Sequence, residues 1–141
     1  MNSLPAILIC ASATIILILG SLHLLFTFYG PKFDPRDPAL RQRMQEVSPL
    51  ISRQTSMWKA WVGFNASHSF GAMLFGALYG YLALMHGAFL FESAFLLGLG
   101  MVTLLGYVVL ARRYWFSTPL RGIGLATLLY AAGLASHIAQ I

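Results

Sequence analysis

Residues Leu4 to Tyr29 run for 26 positions without one charged side chain. About 20 apolar residues suffice for a helix to cross the hydrocarbon core of a bilayer, so this run dictates a membrane as solvent. Three more apolar runs, about 58–85, 88–111 and 119–139, are long enough to do the same. Only 9% of the 141 residues are charged, whereas a soluble domain carries about one quarter. That is too little charge to cover a water-soluble globule. The expectation is an all-α integral membrane four-helix bundle, one domain over 1–141.

The first run reads as a retained helix. No Lys or Arg precedes it, and its apolar stretch continues well past Ala11-Ser12-Ala13, the one small-residue site; a signal core is about 7–15 residues. Cys10 is the only cysteine, which excludes an intramolecular disulfide and any CxxC redox or zinc motif.

Gly30-Pro31 breaks the first helix, and Pro31, Pro35 and Pro38 keep the following stretch irregular. Asp37-Pro38 reads as an N-cap with proline at the first helical position. Leu40, Met44 and Val47 then recur at helical spacing opposite Arg41, Arg43 and Glu46. The pattern predicts a short amphipathic segment on the membrane surface between helices one and two. Ser48-Pro49 repeats the start signal, so the second helix is expected to begin as early as Leu50.

The charges orient the chain. Lys32, Arg36, Arg41, Arg43, Arg53 and Lys59 belong to the first loop and its exit; Arg112, Arg113 and Arg121 belong to the third. All nine basic residues thus fall on one side. The positive-inside rule makes loops 30–57 and 112–118 cytoplasmic and puts both termini outside, in an inner membrane. The basic excess is a topology signal rather than a nucleic-acid footprint, with anionic lipid headgroups its natural partner.

The second helix carries the polar chemistry. At 3.6 residues per turn, Trp61, Asn65, His68, Ala72, Phe75, Tyr79 and His86 share an arc of roughly 80°, with Gly76 and Gly80 beside it for close helix approach. His23 and His68 each lie roughly 9–10 Å inside the cytoplasmic boundary, while His86 and His137 fall at the outer one. His23, Trp61, Asn65, His68 and Tyr79 are therefore the candidate ligand-binding residues. An amphiphile such as a quinone or lipid would set its polar head against Asn65 and His68. Hydrogen bonding between helices would satisfy the same groups.

The inner pair, His23 and His68, resembles in outline the paired axial ligands of b-type cytochrome membrane subunits, which would make haem b the cofactor. His68 and His86, eighteen residues apart, are spaced too far for two stacked haems. No His-x3-His or Glu-x2-His spacing points to another metal. No phosphate loop, nucleophile elbow or paired carboxylates occur, so no catalytic residue is assigned. Glu92 is expected at the outer interface, solvated or paired with the Met1 amine or His86. Trp58, Trp61 and Trp115 mark the cytoplasmic boundary.

In span count and charge layout the chain resembles the many small four-span inner-membrane proteins of bacteria. Disulfide-generating four-span oxidoreductases are excluded by cysteine count, and the Arg- and Glu-rich helix signatures of membrane glutathione transferases are missing. The leading expectation is a non-catalytic subunit that binds a hydrophobic ligand, or a partner helix within a larger or homo-oligomeric membrane complex. A haem b or quinone-linked electron-transfer anchor on His23 and His68 is the alternative, and a small transporter the third reading.

Overall fold

Helix ends in this chain are written by glycine, proline and capping side chains. α1, Leu4–Phe28, stops two residues before Gly30, whose φ of 89° only glycine adopts without strain. α2, Pro38–Glu46, starts where expected: the Asp37 side chain accepts from the Ala39 amide at 2.9 Å, with proline in the first turn. α3 is Met57–Met85, α4 Gly87–Glu92, α5 Ala94–Tyr114 and α6 Ser117–Ile138. The computed structural model describes residues 3–140, which hold these six helices and no strand.

α1, α3 and α5 are each long and apolar enough to cross a membrane, and the chain is accordingly read as a membrane protein. The fourth expected span, 119–139, forms α6. At 22 residues it has the length, but Arg121, Ser136, His137 and three glycines dilute its apolar character, and it does not join the other three.

Two further boundaries differ from expectation. Leu50 does not open the second long helix. Ser48-Pro49 instead starts a turn closed by Ser52 N–H donating to the Pro49 carbonyl at 3.2 Å, and α3 begins at Met57 with Ser56 Oγ accepting from the Lys59 amide. The third expected run, 88–111, is two helices. Ser93 is extended and its hydroxyl accepts from the Leu96 amide, so it caps α5 and ends α4 at Glu92. His86 accordingly sits between α3 and α4 rather than on the α3 face.

The chain divides into two compact units. The first contains the described residues of Met1–Leu19 and Ala72–Ile141. Its core joins Ile9, Ala13, Ile16, Phe75, Tyr79, Leu104, Ile123 and Tyr130. Small residues set how closely its helices approach. A Cβ at Gly76 would lie 2.7 Å from the Ala13 carbonyl oxygen, and one at Gly133 would lie 3.2 Å from that of Pro5. Tyr79 donates to the Leu96 carbonyl at 2.7 Å and Tyr130 to that of Leu97 at 3.1 Å. The two rings meet edge to face, centroids 5.8 Å apart. Around this core the large apolar side chains point outward: Leu74, Phe95, Val102 and Leu128 are each about two-thirds exposed or more. Outward-facing side chains of this kind, on helices of this length, call for lipid as solvent.

The second unit is Gly20–Gly71. It holds the end of α1, α2, the two connections and the first half of α3, and it contains most of the residues singled out from the sequence.

Candidate functional site

Within the second unit, His23 near the end of α1 meets Asn65 on α3, with Nε2 and Oδ1 3.0 Å apart. The direction of this bond follows from Asn65 itself. Its amide nitrogen donates to the Trp61 carbonyl one turn earlier at 2.8 Å, which leaves Oδ1 as the acceptor. His23 therefore donates to Asn65 through Nε2–H. Ser69 Oγ is fully buried and donates to the Asn65 carbonyl at 2.9 Å, and Thr27 Oγ1 donates to that of His23. These i to i−4 bonds satisfy the hydroxyls without water.

Aromatic rings close around His23. Its centroid lies 4.5 Å from that of Phe33 and 5.2 Å from that of His68. Phe33 belongs to the proline-punctuated connection after Gly30, and its carbonyl accepts the Trp61 indole N–H at 3.1 Å. One chain of contacts thus runs from the connection through Trp61 and Asn65 to His23 and His68. Beside it opens a cleft of about 380 Å³ lined by Lys32, Phe33, Asp34, Pro35, Met44 and Trp61. Its rim is charged in both signs. Asp34 pairs with Arg41 at 3.1 Å, Arg41 lies over the Trp58 ring, and the Lys32 amine lies 3.5 Å over that of Phe26.

Of the five candidate residues, His23, Trp61, Asn65 and His68 belong to this cluster. Tyr79 belongs to the first unit, where its hydroxyl is committed to Leu96. Phe33, Lys32 and Met44 were not foreseen. The sequence signal for Phe33 is its place between Pro31 and Pro35, a bulky ring in a stretch whose backbone cannot become helix.

The cluster can also be measured against haem. Two imidazoles on one iron need their centroids roughly 6 Å apart, given metal–nitrogen bonds of about 2 Å. At 5.2 Å they stand closer than that, and the Nε2 of His23 is engaged by Asn65. Axial ligation would require both rings to move apart, and ligation through Nε2 would also require His23 to give up Asn65. No group of three or more His, Cys, Asp or Glu able to hold a metal ion occurs among the described residues.

His86 and His137, both in the first unit, have separate partners. His86 bonds the Tyr81 hydroxyl at 3.1 Å, and His137 lies against Phe91. Among the described residues Glu92 is in neither of the ion pairs, which are Arg41–Asp34 and Arg43–Glu46; the Met1 amine lies outside those residues. Compared with protein-family models, curated proteins and solved structures, the chain gives no match.

Proposed function

We propose that the chain is a non-catalytic membrane protein that holds an amphiphile, a quinone or a lipid, in the cleft beside Trp61. In this reading α6 is a fourth span, the helices form a membrane bundle, and the nine basic residues place the Gly30–Ser56 connection on the cytoplasmic side of an inner membrane with both termini outside. The observation that carries the reading is the ordered contact chain Phe33–Trp61–Asn65–His23, whose first two residues line an open cleft. Met44, Pro35 and Phe33 offer an apolar lining, while Lys32, Asp34 and the Trp61 indole N–H edge offer polar groups; the His23–Asn65 pair lies behind Trp61, one step along the contact chain. A site with an apolar wall and a few fixed polar groups suits a ligand with a head and a tail.

The test is mass spectrometry of organic extracts from protein purified in mild detergent. A quinone or lipid retained at near-stoichiometric amount by the native chain and lost in Trp61→Ala supports the reading. Equal retention in the variant refutes it.

A second reading, a haem b anchor, rests on the adjacency of His23 and His68 and requires their rings to move apart. Oxidised and dithionite-reduced absorption spectra decide it. A Soret band lost in His23→Ala or His68→Ala would establish haem, and a colourless protein from haem-replete cells would end that reading.

A further inference from the structure

Between α2 and α3 the chain makes a closed loop whose tip is wholly apolar. The Met57 amide donates to the Val47 carbonyl at 2.8 Å and joins the two ends. Inside that neck, Ser52 N–H bonds the Pro49 carbonyl and Ser52 Oγ accepts from the Gln54 amide. The backbone is thereby held, and at its apex stand Leu50 and Ile51, with relative exposures of 109% and 93%. Two adjacent large aliphatic side chains held out by a hydrogen-bonded loop demand a cover.

What covers them is indicated by charge and reach. From Val47 to Phe64 the only charged residues are Arg53 and Lys59, both exposed, and Glu46 just before the neck is paired with Arg43, so the charge carried by the loop itself is positive. Ile51 is six residues from the first residue of α3, at most about 20 Å of extended chain. A bilayer that holds α3 is therefore always within reach of the tip, at an effective concentration no soluble partner matches. We propose that Leu50 and Ile51 insert at the headgroup–acyl boundary of the bilayer in which the chain is embedded, drawn there by Arg53 and Lys59 toward anionic lipid. The loop is then a second membrane contact, which holds the connection bearing the cleft against the surface. The proposal rests on the membrane reading of the long helices.

Spin labels test it in nanodiscs that contain anionic lipid. In a Cys10→Ala background, single labels are placed by Ile51→Cys, by Gln42→Cys on the polar face of α2, and by Val102→Cys on the exposed face of α5. The readout is collision with oxygen, enriched in lipid, against collision with a water-soluble nickel chelate. The expected result is an oxygen-to-nickel ratio at 51 several-fold above that at 42 and approaching that at 102. Replacing Arg53→Gln or Lys59→Gln lowers the inserted population about fivefold each, from roughly 1 kcal/mol per basic residue near an anionic surface. A lipid-like ratio at 102 with a water-like ratio at 51 overturns the proposal alone. A water-like ratio at 102 overturns the membrane reading and the proposal with it. A ratio at 51 that ignores lipid charge overturns the part assigned to Arg53 and Lys59.

Discussion

Gly76 and Gly80 lie one helical turn apart on α3, and their substitution by alanine should move stability in opposite directions. A Cβ at Gly76 would meet Leu17 Cβ at 2.6 Å, the Ala13 carbonyl oxygen at 2.7 Å and the Leu17 amide nitrogen at 2.8 Å. Those distances fall roughly 0.6–0.8 Å short of ordinary contact, and two of the three atoms are α1 backbone, which cannot rotate aside. The methyl group fits only if α1 shifts. Overpacking of this kind costs about 1–3 kcal/mol, and rigid neighbours put Gly76→Ala at the upper end. Alanine recovers about 1 kcal/mol of helix propensity, so the net loss should be about 2 kcal/mol. At Gly80 the nearest atom to an added Cβ is Ala13 Cβ at 3.7 Å, an ordinary contact. Gly80→Ala should therefore keep the propensity gain and stabilise by up to about 1 kcal/mol.

The assay is reversible unfolding in mixed micelles by increasing SDS fraction, followed by circular dichroism at 222 nm, for the native chain and each variant. The expected separation between the two variants is about 3 kcal/mol, large against the usual scatter of such measurements. If Gly76→Ala were as stable as the native chain, α1 and α3 would not be packed this closely, and the helix register described above would be wrong. If both variants were destabilised alike, the specific role of Gly76 would fail even with the register intact.

Gly100 should be as intolerant as Gly76. An added Cβ there meets the Tyr130 hydroxyl and Tyr130 Cζ, with Tyr79 Cε1 at 2.8 Å, so Gly100→Ala should cost about 2 kcal/mol in the same unfolding assay. Asn65→Leu should cost about 1–3 kcal/mol, because it removes the acceptor of the His23 Nε2 proton. Adding His23→Phe should recover part of that loss, and a double-mutant cycle with no coupling would show that the bond is not formed. Ser12 Oγ is buried with no hydrogen-bond partner among the described residues. Ser12→Ala should therefore be neutral or stabilising by up to about 1 kcal/mol, and a clear loss of stability would reveal an acceptor for it.

Much of this arrangement was legible because membrane helices count residues in a simple way. Apolar runs located α1 and α3 to within one position, while the run 88–111 merged α4 with most of α5, and a rise of 1.5 Å per residue placed His23 and His68 at one depth. Their rings do lie in contact, 5.2 Å apart. The proline signal at Asp37-Pro38 held because the aspartate side chain reaches the Ala39 amide. The same signal at Ser48-Pro49 failed. Proline suits both a helix start and a tight turn, and here the Ser52 to Pro49 bond makes the turn while the Met57 to Val47 bond closes the loop around it. Ser93 was missed for a related reason, since hydropathy runs unbroken through a serine that interrupts the backbone.

Helix rotation is what residue counting does not supply, and it settles what His23 can do. The sequence placed an amide and two imidazoles at similar depth, but it did not say which group His23 would touch first. On α3, Asn65 is tied to the Trp61 carbonyl through its amide nitrogen, so only an oxygen remains to face α1. That orientation assigns the His23 proton to Nε2 and directs its remaining nitrogen, Nδ1, away from Asn65. In the amphiphile reading proposed above, Nδ1 is the His23 atom left to accept from a quinol hydroxyl or a lipid headgroup. Asn65→Asp tests the chain of reasoning. A carboxylate has no N–H to spend on Trp61, and its oxygens would accept the His23 Nε2 proton in a stronger, charge-assisted bond. The nitrogen chemical shifts of labelled His23 should then show the Nε2 proton drawn toward the carboxylate in the variant and a protonated Nε2 facing Asn65 in the native chain. A native spectrum showing the Nδ1–H form would undo the assignment, and with it the acceptor role proposed for this residue.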